Sequence, residues 1–316
     1  MHPAEAAPAF VAGKERSARY WLDIWAAPSR DMERLDDARR HGLRVVKWCA
    51  EEDGLLDLAI DLAIAMSEHM TWRGNWQEWE EVLRSLFGKM NPIAASDRHF
   101  ALREALSALY FRQHRLDESI ALSGENYHRA RADGAIAHQA RAALNLAEAH
   151  LNAGAAEKAL AYAEELRVLA ARIGSQWQEA DAHIDAARAL AALNCLAEAE
   201  QRLWQGHALA VAAGLPVYQA KAHIFLGHVA CHRQQWQEAL ARFETALALV
   251  VSYGDEVGRA TVQSNIGRAL TELGRWQEAI AILEDAVRTF RYHGNAPAER
   301  IALQRLQDLE TRRSKT

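Results

Sequence analysis

Four side chains that bind metals or move protons fall within one short stretch: His223, His228, Cys231 and His232. On a helix, His228 and His232 are one turn apart and share a face, so two imidazoles could meet one zinc ion. Zinc takes three or four protein ligands. At about 100° per residue His223 falls toward the opposite, buried side, so it cannot complete the set. The plainer reading makes His223 a satisfied core residue and His228 and His232 polar groups on an open face, with no metal and no cofactor. No other motif supports catalysis. Gly13-Lys14-Glu15 and Gly88-Lys89-Met90 lack the hydroxyl residue and upstream glycine of a phosphate-binding loop, and neither H-E-x-x-H nor G-x-S-x-G occurs.

The elements that carry these residues are helical by composition. Seventeen glycines and six prolines in 316 residues fall short of average usage, and Ala, Leu, Glu and Gln are abundant. A formal net charge of −5 gives no general attraction for nucleic acid or anionic lipid. Cys49, Cys195 and Cys231 are too few and too scattered for a disulfide framework, which suits a reducing cytoplasm. No export signal or apolar run long enough for a membrane span is present, so no membrane partner is expected.

The chain repeats itself every 40 residues. Gly54, Gly134, Gly174, Gly214, Gly254 and Gly294 share one column, with Ala94 the exception. Ser67, Ser107, Ala147, Ala187, Gly227 and Gly267 form a second column, all small, and Trp79, Ser119, Ala159, Ala199, Ala239 and Ala279 a third. A fourth column reads Trp76, Leu116, Ala156, Leu196, Trp236 and Trp276, its tryptophans read as packing residues, with Gly74, Gly154 and Gly274 two positions ahead of Trp76, Ala156 and Trp276. Each unit divides into two helices joined by a tight turn, where a glycine takes the left-handed conformation. The small columns let the two helices approach, so Gly267 is expected to face Ala279. No pair can bury its apolar face alone, and the pairs must stack.

Leu226-Gly227 and Ile266-Gly267, with Trp236-Gln237-Glu238-Ala239 and Trp276-Gln277-Glu278-Ala279, resemble the tetratricopeptide repeat. The resemblance implies an all-α, right-handed solenoid of antiparallel helix pairs, in which residues 56–294 form six repeats of a single elongated domain. Residues 1–16 are expected as a flexible tail, 17–55 as capping helices with Tyr20, Trp21 and Trp25 in an irregular cap, and 295–316 as a closing helix. Trp79 in an Ala column, Asn126 at an apolar position and Ala94 make the first two repeats less regular. The stretch Leu43 to Ala50 with Gly54 and Trp72-Arg73-Gly74 is similar to the repeat regions of bacterial signalling ATPases and transcriptional regulators, but no ATPase or DNA-reading module accompanies it.

The same resemblance implies a concave groove along the first helix of each unit, where a protein or peptide segment lies. Residues at groove positions are Ile64, Glu68, Trp72, Glu104, Phe111, Arg112, Arg141, Leu144, Glu148, Arg188, Lys221, His228, His232 and Arg268. Trp72 is the expected anchor, because aromatic residues dominate interface energetics. Its apolar members, with Ile184 and Ile224, could equally pad contacts between successive helices. Glu68, Glu148, Arg188 and Arg268 change sign along the series, which suits a partner basic toward one end and acidic toward the other. The expected function is an adaptor or regulatory module; a sensor of a small ligand or signalling peptide is the second reading, and a metal-dependent enzyme the third.

Overall fold

Segments rich in Ala, Leu and Glu form helices, and from Asp97 onward these are separated by connections of two or three residues that reverse the chain. The computed structural model describes residues 3–27, 32–52, 54–73, 76–90 and 97–313. Among them are fifteen helices and no strand: α1 (Pro3–Trp25), α2 (Met32–Ala50), α3 (Leu56–Arg73), α4 (Trp76–Lys89), α5 (Asp97–Arg112), α6 (Leu116–Ala132), α7 (Ile136–Asn152), α8 (Ala156–Ile173), α9 (Gln176–Ala192), α10 (Leu196–Ala212), α11 (Pro216–His232), α12 (Trp236–Ser252), α13 (Glu256–Glu272), α14 (Trp276–Tyr292) and α15 (Ala296–Arg313). From α9 to α14 each helix has 17 residues, and with three-residue connections two of them make the forty-residue period.

Both kinds of turn close in the same way. Gly134, Gly174, Gly214, Gly254 and Gly294 are left-handed, and so is the column His114, Gly154, Asn194, Gln234 and Gly274. The following N–H then donates to the carbonyl five residues back, as Leu215 does to Ala210 at 2.8 Å and Arg275 to Leu270 at 2.9 Å. Three residues with side chains therefore adopt the conformation that the sequence marks only where glycine is present. Gly74 and Ala94 lie outside the described residues.

The chain divides into two compact units, Met1–Ala153 and Gly154–Thr316. In the first, α3 packs on α1, α2, α4 and α5, and α5 packs on α4, α6 and α7. Its core includes Trp25, Val46, Cys49, Met66, Trp79, Leu83 and Leu109. The segment expected as a tail and irregular cap is instead helix α1, because Ala18 and Trp25 are 0% and 1% exposed and turn one helical face into that core. Trp79, in a column of small residues, is fully buried, and Asn126 donates from Nδ2 to the Phe100 carbonyl at 2.9 Å.

In the second unit α9, α11 and α13 each pack between their even-numbered neighbours, α15 packs on α14, and α9 also meets α11, as α13 meets α15. Phe243, Val250, Ile266 and Leu283 fill one part of its core, and Ile184, Leu203 and Leu226 another. The small column does not work as expected. Gly267 faces Leu283, one turn beyond Ala279, and Gly227 likewise faces Phe243, so each glycine makes room for a large side chain. Trp236 and Trp276 are half-buried against the core rather than within it, and Trp76 is 39% exposed with its indole donating to the Thr71 carbonyl at 3.0 Å.

Candidate functional site

The positions expected to bind lie on the odd-numbered helices, whose mutual contacts set their environment. In the first unit Ile64 of α3 is half-buried against the core, Glu68 is exposed, and the side chain of Trp72 lies outside the described residues. On α5, Glu104, Phe111 and Arg112 are half-buried. On α7, Arg141 is exposed and Glu148 half-buried, whereas Leu144 is only 7% exposed and pads the helix packing. Charges pair between neighbouring helices of this face: Arg141 Nε donates to Glu104 Oε1 at 2.5 Å, and Arg98 Nε to Asp61 Oδ1 at 2.7 Å. Burial lowers the Arg112 pKa, and the Glu148 carboxylate opposes that shift.

In the second unit Ile184 is fully buried, again as padding. Asp181 and Asp185 of α9, 5% and 0% exposed, take up the charge of Lys221 on α11: its ammonium hydrogen-bonds Asp181 and lies 3.6 Å from Asp185 Oδ1. Arg188 donates to the same Asp185 oxygen at 2.9 Å and lies over the Phe225 ring at 4.9 Å. Lys221 and Arg188 thus reach a potential partner already bonded.

Further along, His228 is half-buried, His232 and Arg268 are exposed, and the Arg268 guanidinium sits 6.0 Å from the centre of the Trp236 ring. Arg305 of α15 donates from Nη1 to Ser264 Oγ at 2.7 Å and Asn265 Oδ1 at 3.2 Å. Burial, reinforced by Arg305 and Arg268, pushes the His228 pKa down to about 4 against a hydrogen bond with Asn265, so this imidazole is neutral at pH 7.

His223 points elsewhere. Its ring lies 4.7 Å from that of His207, it is 7% exposed, and among the described residues its Nδ1 has no hydrogen-bond partner. It is a core residue, as expected, but not a satisfied one. No group of three or more His, Cys, Asp or Glu residues placed to hold a metal ion occurs among the described residues. Burial raises the Cys231 thiol pKa, which leaves it protonated and unreactive at neutral pH.

Helix pairs of this length, closed by left-handed turns and interlocked through small residues, are the geometry of one repeat family. Residues 218–291 match the tetratricopeptide repeat model. The helical-repeat fold of the described residues is of the tetratricopeptide type, and solved structures share it. The chain is similar to NprR in complex with its cognate peptide NprX (TM-score 0.61, 14% identity, 96% of this chain and 83% of that one). It is similar to the Rap conjugation gene regulator of plasmid pLS20 in complex with the Phr* peptide (TM-score 0.56, 11% identity, 81% of this chain and 76% of that one). It also resembles a signal-transduction ATPase with a tetratricopeptide repeat sensor from Pyrococcus horikoshii (TM-score 0.55, 12% identity), covering 89% of this chain and 44% of that one. Curated protein sequences give no match.

The tetratricopeptide reading from sequence passed over Asp181, Asp185, Asn265 and Arg305. For Asp181 the signal was an opposite charge one repeat on, at Lys221, visible only when charge is compared between neighbouring units; Asn265, one repeat before Arg305, is neutral and gave no such signal.

Proposed function

We propose that the chain is a non-catalytic regulatory module that binds a peptide or protein segment on the face of its odd-numbered helices. The observation that carries this reading is the match, over most of both chains, to tetratricopeptide-type structures solved with peptides bound. Fold alone does not assign function. The reading is supported by side chains left at least partly exposed on odd-numbered helices, Phe111 and Arg112 on α5 in the first unit and His228 on α11 and Arg268 on α13 in the second. None of the described helices is long and apolar enough to cross a membrane. Cys49, Cys195 and Cys231 are free thiols, and we place the protein in the cytoplasm.

The test is selection of a random-peptide display library on the full chain. Enriched sequences should bind in solution, and Phe111→Ala/Arg112→Ala should weaken that binding tenfold or more. Arg288→Gln, at an exposed position on α14, should leave it unchanged. Failure to enrich any sequence, or equal affinity for the Phe111/Arg112 variant, would overturn the reading.

A further inference from the structure

Deeply placed cations of this chain meet carboxylates at close range. Lys14 is 10% exposed and bonds Glu52, and Arg188 is 22% exposed and donates to Asp185 at 2.9 Å. Arg103 of α5 departs from this. Its side chain is 12% exposed, yet the carboxylate it faces, Glu125 Oε2 on α6, stands 3.6 Å from Nε and belongs to a side chain 63% exposed. Nε and Nη1 are buried and have no hydrogen-bond partner among the described residues. The guanidinium lies 4.9 Å from the centre of the Phe87 ring of α4, a contact that accepts no in-plane hydrogen bond. Burial lowers the Arg103 pKa, the Glu125 carboxylate opposes the shift, and the charge of Arg129 adds to it. A guanidinium stays charged at neutral pH all the same. Such a group costs stability until an acceptor completes it.

The space beside it is open. A cleft of about 660 Å³, the size of a small-molecule site, is lined by Arg103, by Glu125, His128 and Arg129, and by an apolar wall of Ile120, Ala121 and Gly124. Gly124 lies inside α6, where glycine is unfavourable. The missing side chains of Gly227 and Gly267 leave room for Phe243 and Leu283, but nothing stands within 4 Å of where a Gly124 Cβ would be. None of the residues assigned to the peptide face lines this cleft.

We propose that the cleft binds a small carboxylic acid with an apolar body, its carboxylate on Arg103 and Arg129 and its body along Ile120, Ala121 and Gly124. The planar fork of a guanidinium matches a carboxylate with two parallel hydrogen bonds, and Arg103 has Nε and Nη1 to give. With the Glu125 carboxylate already at the cleft, a singly charged anion is favoured over a doubly charged phosphate. Binding here is independent of binding on the peptide face.

Saturation-transfer NMR on the full chain tests this with hexanoate, benzoate, 4-phenylbutyrate and indole-3-acetate, each compared with its primary amide and challenged with inorganic phosphate. At least one acid should bind tenfold or more tightly than its amide, and phosphate should not displace it. Arg103→Met should lose the preference for acid over amide with its melting temperature held or raised, because an uncompensated buried charge goes with the substitution. Gly124→Leu keeps both arginines and places its Cβ in open space, so it should fold at least as well and lose binding by filling the cleft. It also keeps the proposal decidable should Arg103→Met fail to fold. Binding of no acid, equal binding of acids and amides, displacement by phosphate at equal concentration, or undiminished binding by either folded variant would overturn it.

Discussion

Gly267 and Leu283 interlock: a Cβ on Gly267 would lie 2.5 Å from Leu283 Cγ, so the missing side chain on α13 is the space the leucine of α14 occupies. Gly267→Ala should therefore destabilise the protein by about 1–3 kcal/mol through overpacking. Alanine's better helix propensity, worth up to about 1 kcal/mol, opposes this and does not outweigh it. Gly267→Ala/Leu283→Ala should cost less than the sum of the single variants, because the new methyl enters space the leucine vacates. Urea denaturation measures all three, and additive costs would refute the interlock.

The left-handed turns carry a prediction of opposite sign at two positions. Gly254 has φ +77° and open space around it, so Gly254→Val meets no clash and should lose about 1 kcal/mol or more from backbone strain alone. Gln234 already bears that strain at φ 59°. Gln234→Gly should stabilise by about 0.5–1 kcal/mol, and an unchanged or lower melting temperature would count against it.

These turns show what the sequence makes legible and what it does not. Gly174, Gly214, Gly254 and Gly294 announce the period because left-handed backbone selects glycine, and the helix count and lengths follow from them. His114, Asn194 and Gln234 hold the same conformation silently, since the helices packed on either side force it. At the candidate site, Phe111, Arg112, His228 and Arg268, chosen by helical periodicity, each keep at least part of the side chain exposed. It cannot show that Leu144 is buried between helices or that Lys221 is bonded to Asp181, because a face is a property of one helix and burial depends on the next.

Burial makes the histidine core sensitive to acid. The pKa values of His183 and His223 are pushed down to about 4, first by desolvation, then by Arg202 and Arg167 at the former and by His207 and Arg242 at the latter. In the unfolded chain each titrates near pH 6.5, so below that pH the unfolded state binds protons the folded state refuses. Their contribution is complete above about pH 6.5 and is lost as pH falls toward 4, at up to about 1.4 kcal/mol per pH unit for each histidine. Urea denaturation at pH 7.5, 6 and 5 should show the decline, and His223→Gln should flatten it. Parallel curves for the two proteins would refute the assignment.

Ion pairs of this protein should differ sharply in worth according to burial. Arg233 and Glu200 meet at 2.6 Å with both side chains about one-third exposed, where the gain is about 0–1 kcal/mol. Lys221 serves Asp181 and Asp185, whose side chains are 7% and 0% exposed. Removing Lys221 leaves a buried carboxylate without its cation, and Asp185 Oδ2 already has no hydrogen-bond partner among the described residues. Lys221→Met keeps most of the aliphatic stem and should cost about 1–3 kcal/mol, whereas Arg233→Met should cost less than 1 kcal/mol. Asp181→Asn added to Lys221→Met should recover part of the loss, because the uncompensated charge goes with it. If the Lys221 and Arg233 variants unfold at the same urea concentration, the buried pair contributes nothing beyond an ordinary surface contact.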